Sequence, residues 1–256
     1  MSAVVVTGAA GWLASSIATS LAELGYQVFA LDKKTALEES HGRLRNSAIE
    51  CIEVDFFDKE KSLQTMSELA KNKQICAIVN AAYSFGSSNI FTGCDGIKIN
   101  DIEEDQFTGD VEVAVGWAFR VIKCFHSNLQ QTEGSIINIG SMYSHKAPNP
   151  SLYKGGFEQY TSKLSYTVGK HALLGMTRYL AAFFAEDNIR VNMVSPGAFS
   201  KPGTDLKFID ELNSRIPMGR IGNPRDLNGV VKFLVGNESS YITGQSFLVD
   251  GGWGIV

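Results

Sequence analysis

Seven short apolar runs recur along this chain, separated by longer segments whose apolar residues repeat with helical spacing. That alternation limits the fold more than any other feature. The apolar runs are residues 3–7, 27–31, 49–54, 76–80, 135–140, 189–195 and 246–249, and the helical period covers 11–24, 59–71, 104–127, 165–186 and 224–235. A continuous short apolar run belongs to a strand buried on both faces. Strands alternating with helices pair in parallel through right-handed crossovers. The expected fold is α/β, a Rossmann-type doubly wound parallel sheet of about seven strands with helices on both faces. No linker or repeat divides residues 1–256, so a single domain is expected. Residues 142–164 and 200–217 lack a period and read as long loops, which in a compact domain are more often functional than accidental.

Hydrophobic residues make up 44% and charged residues 20%, enough to bury a core. The net charge of −4 gives no basic surface for nucleic acid. No secretory leader pattern opens the sequence and no run reaches the length of a membrane span, so a cytoplasmic protein is expected. Cys51, Cys76, Cys94 and Cys124 are too scattered for a zinc site or a redox dithiol, so no metal is expected.

Residues 7–14, Thr-Gly-Ala-Ala-Gly-Trp-Leu-Ala, join the first strand to the first helix. Gly8 and Gly11 suit a sharp turn that brings backbone N–H groups near a pyrophosphate, and Ala14 lets helix and strand pack closely. Asp32 ends the second strand, where a carboxylate accepts from ribose hydroxyls and repels a 2′-phosphate. That favours NAD over NADP, although Lys33 and Lys34 follow at once. Asp55 and Asn80-Ala81-Ala82 also stand at carboxyl ends of strands, where an open α/β sheet binds its ligand.

Tyr166 and Lys170 lie four residues apart and share one helix face. A nearby ammonium favours the phenolate and lowers a tyrosine's pKa, so the pair can move a proton to or from a substrate oxygen. Ser141 follows the fifth strand on the same sheet edge, and Pro196-Gly197 follows the sixth.

Taken together, these segments resemble the short-chain dehydrogenase/reductase family over nearly the whole chain. The matching segments are 7–14, 80–82, Ser141, 166–170, 192–197, 220–224 and the tail at 242–252, which ends in Val249-Asp250-Gly251-Gly252. The resemblance implies a dinucleotide-binding and catalytic domain that passes hydride between nicotinamide and a carbonyl or alcohol. Tyr166 would be the general acid/base, Lys170 would bind the nicotinamide ribose and depress the phenol's pKa, and Ser141 would position the substrate oxygen. Thr7, Gly8, Gly11, Trp12 and Leu13 would hold the cofactor at the first turn. Asp32, Asp55 and Phe56 would hold its adenosine end, and Asn80, Ala81 and Ala82 would line the crevice. Pro196, Gly197 and Phe199 would stand beside the nicotinamide. A homo-oligomer, tetramer or dimer, is also implied.

The sequence departs from the family in four ways. Its glycines read G-x-x-G-x-x-A. Ala114 stands where the family has a helix asparagine, which puts a water-mediated proton relay through that position in doubt. Lys201 replaces a phosphate-binding threonine, for which Ser200 or Thr204 could substitute. Finally, Ser141 and Tyr166 are 166 − 141 = 25 positions apart, roughly a dozen more than the family norm. The added segment carries Tyr143, His145, Lys146, Tyr153, Lys154, Glu158, Gln159 and Tyr160. Tyr143, His145, Tyr153 and Tyr160 are candidate substrate contacts, and their aromatic and polar character suits a hydroxyl-rich ligand. A similar insertion occurs in oxidoreductases of bacterial surface-sugar and flagellin modification. The expected substrate is therefore a small carbohydrate: a sugar, sugar phosphate or nucleotide sugar. The alternatives are a ketone, ketoacyl or polyol substrate, a surface or subunit-contact role for the insertion, or a dinucleotide-responsive protein without activity. His171 reads as a packing or surface residue.

Overall fold

The computed structural model describes residues 2–40, 42–84, 102–157, 160 and 162–256. Cys94, Glu158 and Gln159 lie outside the described residues. Seven strands form one parallel sheet: β1 (Ala3–Thr7), β2 (Gln27–Asp32), β3 (Ile49–Glu53), β4 (Ile75–Asn80), β5 (Ser135–Ile139), β6 (Arg190–Pro196) and β7 (Ser246–Val249), in the order β3-β2-β1-β4-β5-β6-β7. The expected fold class is the observed one. All five residues of β1 are buried, as an apolar run without alternation requires.

Side chains alternate across the strands and feed two cores. On one face Val5, Phe29 and Leu31 pack with Val121, Phe125 and Leu180. The helices there include α5 (Trp117–Thr132) and α6 (Leu164–Phe183). On the other face Val4, Val6, Val28 and Ala30 pack with Ile17, Leu21, Val231 and Leu234. Their helices are α1 (Trp12–Glu23) and α8 (Asn228–Val235). Between β1 and β4 the strand order reverses, and their carboxyl ends open a crevice at the topological switch point.

Three elements differ from the sequence reading. The helix expected at 104–127 is α4 (Glu104–Val111), a π-helical turn (Glu112–Gly116) and then α5. π turns within helices are frequent at functional sites. Residues 200–217 are not all loop: they contain α7 (Leu206–Arg215), whose side chains Phe208 and Leu212 are buried. One turn of apolar spacing is too little to reveal so short a helix, although Asp205 caps it by accepting from the Lys207 N–H at 2.8 Å. The third is the aperiodic insertion, whose described residues include the 3₁₀ turns Met142–Ser144 and Pro150–Tyr153. They pack with α7 and Trp253 into a third core.

Arg120 ties the helical face to the crevice wall. It is buried, and its Nη1 donates to the Phe56 carbonyl at 2.7 Å while Nη2 meets Glu112 Oε1 at 3.0 Å. Replacing it by Met leaves that carbonyl without its donor. Arg120→Met should cost about 2 kcal/mol in urea unfolding, and a loss under about 0.5 kcal/mol would contradict the tie.

Candidate active site

The first turn accounts for its glycines. Gly8 has φ +63°, and a Cβ there would lie 2.6 Å from Ala82 Cα, so β1 and β4 approach too closely for any side chain. A Cβ on Gly11 would lie 2.9 Å from Gly8 O. Helix α1 opens at Gly11 with no side-chain cap and no acidic residue in its first turn. Its N-terminal N–H groups are therefore suited to phosphate oxygens. Thr7 Oγ accepts the N–H groups of Ala81 and Ala82, both at 3.1 Å, which joins the ends of β1 and β4.

A cavity of about 630 Å³ opens beside this turn. Its wall includes Gly8, Gly11, Asp32, Asp55, Phe56, Ala81 and Ala82, all expected from the sequence. Asp32 accepts from Ala10 N–H at 3.0 Å and Lys33 N–H at 2.8 Å. Burial raises its pKa and these two N–H groups oppose that shift. Volume, glycine turn and carboxylate fit the adenosine and pyrophosphate of a dinucleotide. Trp12 also lines a groove with Asn223 and Asn228, and Leu13 packs on the α1 core, so their backbone N–H groups at the start of α1 are what they offer the turn. Arg43 shares the cavity wall with Lys33, and its Nη2 donates to Ala10 O at 2.8 Å. Sequence reasoning missed Arg43, which lies in a segment without a recognisable pattern.

The chemical end lies where β5, α6 and the insertion meet. Ser141 ends the β5 segment, and its Oγ accepts from Tyr143 N–H at 3.1 Å. The Ser141 side chain stands close enough to the Tyr166 hydroxyl to favour its ionised form. Lys170 lies one turn along α6, buried, with Nζ donating to Ile139 O at 2.9 Å. The expected trio is thus brought together. One expectation fails. The pKa of Tyr166 is raised rather than depressed, because burial outweighs the Ser141 hydrogen bond and neighbouring Tyr143 adds to the rise. Lys170 lies 5.7 Å from the Tyr166 ring centroid, and burial pushes its own pKa down to about 8.

Two neighbours went unnoticed in the sequence. Tyr83 meets Tyr166 edge to face at 5.2 Å, and its ring lies 4.9 Å from Lys170 Nζ. Asp110 is buried on α4 and accepts from Ser165 Oγ at 2.6 Å, directly before Tyr166. Neither occupies a position that spacing alone marks out.

The insertion residues separate. Tyr143 and Tyr153 are buried with their hydroxyls 2.7 Å apart, and burial followed by Tyr153 raises the Tyr143 pKa. Tyr160 stacks on Phe208 of α7 at 4.2 Å and accepts from Asp205 N–H. His145 turns toward β7 and bonds Ser246 Oγ at 2.9 Å, so it is not brought to Tyr166. His171 is exposed and bonds Thr167 O. Pro196 ends β6, and a Cβ on Gly197 would lie 2.6 Å from Asp250 Cα. Phe199 packs its ring over Gly222. Thr204 Oγ donates to Lys201 O at 2.9 Å.

A doubly wound sheet with a glycine turn at its switch point and a Ser-Tyr-Lys cluster across the crevice defines a class, the nicotinamide-dependent oxidoreductases. The family model described as enoyl-(acyl carrier protein) reductase matches residues 8–254. The chain is 29% identical to 2-dehydro-3-deoxy-D-gluconate 5-dehydrogenase of Bacillus subtilis, over 97% of its length and 93% of the relative's. It resembles a short-chain dehydrogenase from Leptospira borgpetersenii solved with bound NAD⁺, with TM-score 0.83, 28% identity, and 99% and 93% of the two chains covered. In fold it also matches a gluconate 5-dehydrogenase from Burkholderia cenocepacia in complex with NADP and tartrate, with TM-score 0.80, 24% identity, and 98% and 94% covered. The chain belongs to the short-chain dehydrogenase/reductase family and is a dehydrogenase/reductase of that type. Among the described residues no helix is long and apolar enough to cross a membrane.

The buried ammonium leaves a signature in stability. Its native pKa of about 8 lies below the ordinary 10.5, so between those values the unfolded chain binds more protons. Stability from this group therefore rises with pH across that window, by up to about 1.4 kcal/mol per unit. Denaturation of wild type and Lys170→Met between pH 8 and about 10, before tyrosines titrate, should show wild type gaining on the variant. Parallel curves would contradict the burial.

Proposed function

We propose that this chain interconverts a secondary alcohol and a ketone on a sugar acid or closely related carbohydrate, using NAD. The observation that carries the reading is the convergence of Ser141, Tyr166 and the buried Lys170, whose Nζ lies 5.7 Å from the Tyr166 ring. When bound, the nicotinamide supplies or accepts the hydride. Tyr166 exchanges a proton with the reacting oxygen, and Ser141 holds that oxygen by a hydrogen bond. Lys170 supplies positive charge behind the phenol, and the surrounding burial excludes water from the exchange. A raised phenol pKa keeps Tyr166 in the acid form, the one that donates to a ketone. Oxidation of the alcohol needs the phenolate, so its rate should climb with pH from neutrality upward.

The name of the Bacillus subtilis relative supports a sugar acid as substrate. The buried hydroxyl pair Tyr143–Tyr153 suits hydroxyl recognition next to Tyr166. Asp32 in the adenosine cavity supports NAD, with Lys33 and Arg43 on the same wall opposing it. The residues proposed to hold NAD are Gly8, Gly11, Asp32, Asp55 and Phe56, together with Ala81 and Ala82. Phe119 on α5 and Tyr179 and Phe183 on α6 are each more than half exposed, which suits burial against a second copy of the chain in a homo-oligomer.

Turnover with a panel of sugar acids and sugars, alongside NADH fluorescence, tests the reading. Tyr166→Phe should lower kcat by about 10² to 10⁴-fold while NADH binding persists. Full activity in that variant would remove the assigned role. Asp32→Ala should move cofactor preference toward NADP, whereas an unaltered ratio of kcat/KM for the two cofactors would contradict the role of the carboxylate.

A further inference from the structure

Tyr83 is the first residue beyond the floor of the crevice. Thr7 Oγ accepts the N–H groups of Ala81 and Ala82, and Gly8 stands against Ala82 with no room for a Cβ. The backbone is therefore fixed up to the residue before Tyr83. From that anchored point the Tyr83 side chain reaches the catalytic pair. Its ring centroid lies 5.2 Å from that of Tyr166, with the two planes at 89°. Lys170 Nζ stands over the Tyr83 ring at 4.9 Å and over the Tyr166 ring at 5.7 Å.

A buried ammonium needs such a neighbour. Lys170 has three N–H donors and gives one to Ile139 O at 2.9 Å. Taking the cation out of water is costly unless other groups replace its hydration. An aromatic face within about 6 Å of a cation attracts it through the ring quadrupole, and more strongly where water is excluded. Tyr83 makes the shorter of the two ring contacts. Its edge-to-face meeting with Tyr166 is the arrangement in which two aromatic quadrupoles attract. Burial first, then Tyr166 and Asp110, raise the Tyr83 pKa, so this ring stays a neutral phenol and offers a π face rather than a phenolate charge. Burial has brought the Lys170 pKa down to about 8, close enough to neutrality that a modest change in its surroundings alters its charge.

We infer that Tyr83 is a positioning residue whose ring face keeps the Lys170 ammonium charged and in place behind Tyr166. The ring performs this role and the hydroxyl is not needed for it. The titratable groups around the centre are Tyr83 and Tyr166 beside Lys170, Asp110 of α4 beside Tyr83, and Tyr143 of the insertion beside Tyr166. The residues of β1, β4 and α5 that pack near Lys170, among them Thr7, Asn80, Trp117 and Ala118, carry no charge. Without the ring the ammonium is less favoured. Lys170 then loses its proton at lower pH, and the Tyr166 phenol ionises at higher pH.

The claim about charge on Lys170 stands by itself, while its effect on rate rests on the proposed dehydrogenase reading. The wild-type chain is compared with Tyr83→Phe, with Tyr83→Leu, and with a chain whose Tyr83 is replaced by trifluorophenylalanine. The fluorinated ring keeps its shape and loses its negative face. The first readout needs no activity: the rise of stability with pH, measured for each chain against the same chain carrying Lys170→Met. That rise should begin about one pH unit lower in Tyr83→Leu and in the trifluoro chain, and at the wild-type pH in Tyr83→Phe. In the second readout, the pH limb of alcohol oxidation should move up by about one unit in the same two chains, a tenfold rate loss below the limb, while Tyr83→Phe keeps the wild-type limb. Tyr83 also lines the dinucleotide cavity, so NADH affinity is measured alongside and should persist in all four chains. A trifluoro chain that matches Tyr83→Phe in the stability readout overturns the inference, even if Tyr83→Leu fails to fold. Rate losses explained by weaker NADH binding alone overturn it as well, and both results leave the enzyme reading standing. A fully active Tyr166→Phe sinks the enzyme reading, and the stability readout still decides the role of Tyr83.

Discussion

One hydrogen bond organises the catalytic end: the ammonium of Lys170 on the last carbonyl of β5, Ile139. It ties the helix that carries the phenol to the strand that delivers Ser141 two residues later. Burial makes this bond expensive, since an ammonium loses its hydration in the interior, and the lowered pKa of Lys170 records that cost. A protein concerned with stability alone would have an apolar side chain here. Retaining a buried lysine makes sense where its charge acts on a neighbour, and the neighbours are the rings of Tyr166 and Tyr83.

The cofactor end follows from a steric constraint instead. Gly8 and Ala82 approach so closely that a single Cβ would not fit, and Thr7 stitches the two loops by accepting both N–H groups that follow β4. This contact sets the floor of the crevice, and Thr7 also lines the small pocket beside Lys170. The glycine turn and the Ser141–Tyr166–Lys170 cluster are therefore not independent modules. They share Thr7 and Asn80, neighbours in register on β1 and β4.

How much of this could be read from the chain depended on the kind of signal each part leaves. The sheet was legible because strands buried on both faces write continuous apolar runs, as β1 does. The Ser141, Tyr166 and Lys170 cluster was legible because Ser141 follows a strand at the ligand edge of a parallel sheet, while Tyr166 and Lys170 share one helix face four residues apart. Helix α7 was not, because its packing rests on Phe208 and Leu212 alone. The π turn at 112–116 was hidden because one extra residue hardly disturbs helical spacing. Tyr83 and Asp110 could not be found because they meet Tyr166 and Ser165 only through tertiary packing. The direction of the Tyr166 shift was misjudged for a related reason: sequence reveals a neighbouring charge, whereas desolvation depends on everything that encloses the group.

The insertion between Ser141 and Tyr166 is held by packing rather than by period. A segment there could have projected into solvent, yet its aromatic residues are drawn inward onto α7, with Phe208 against Tyr153, Phe157 and Tyr160. Tyr143 cannot pack there without burying its hydroxyl, and Tyr153 supplies a partner for it. A buried hydroxyl is costly without a partner, and each phenol provides one for the other. The insertion thereby becomes a third core that packs against Tyr166 and ties the segment after Ser141 to α7 and Trp253.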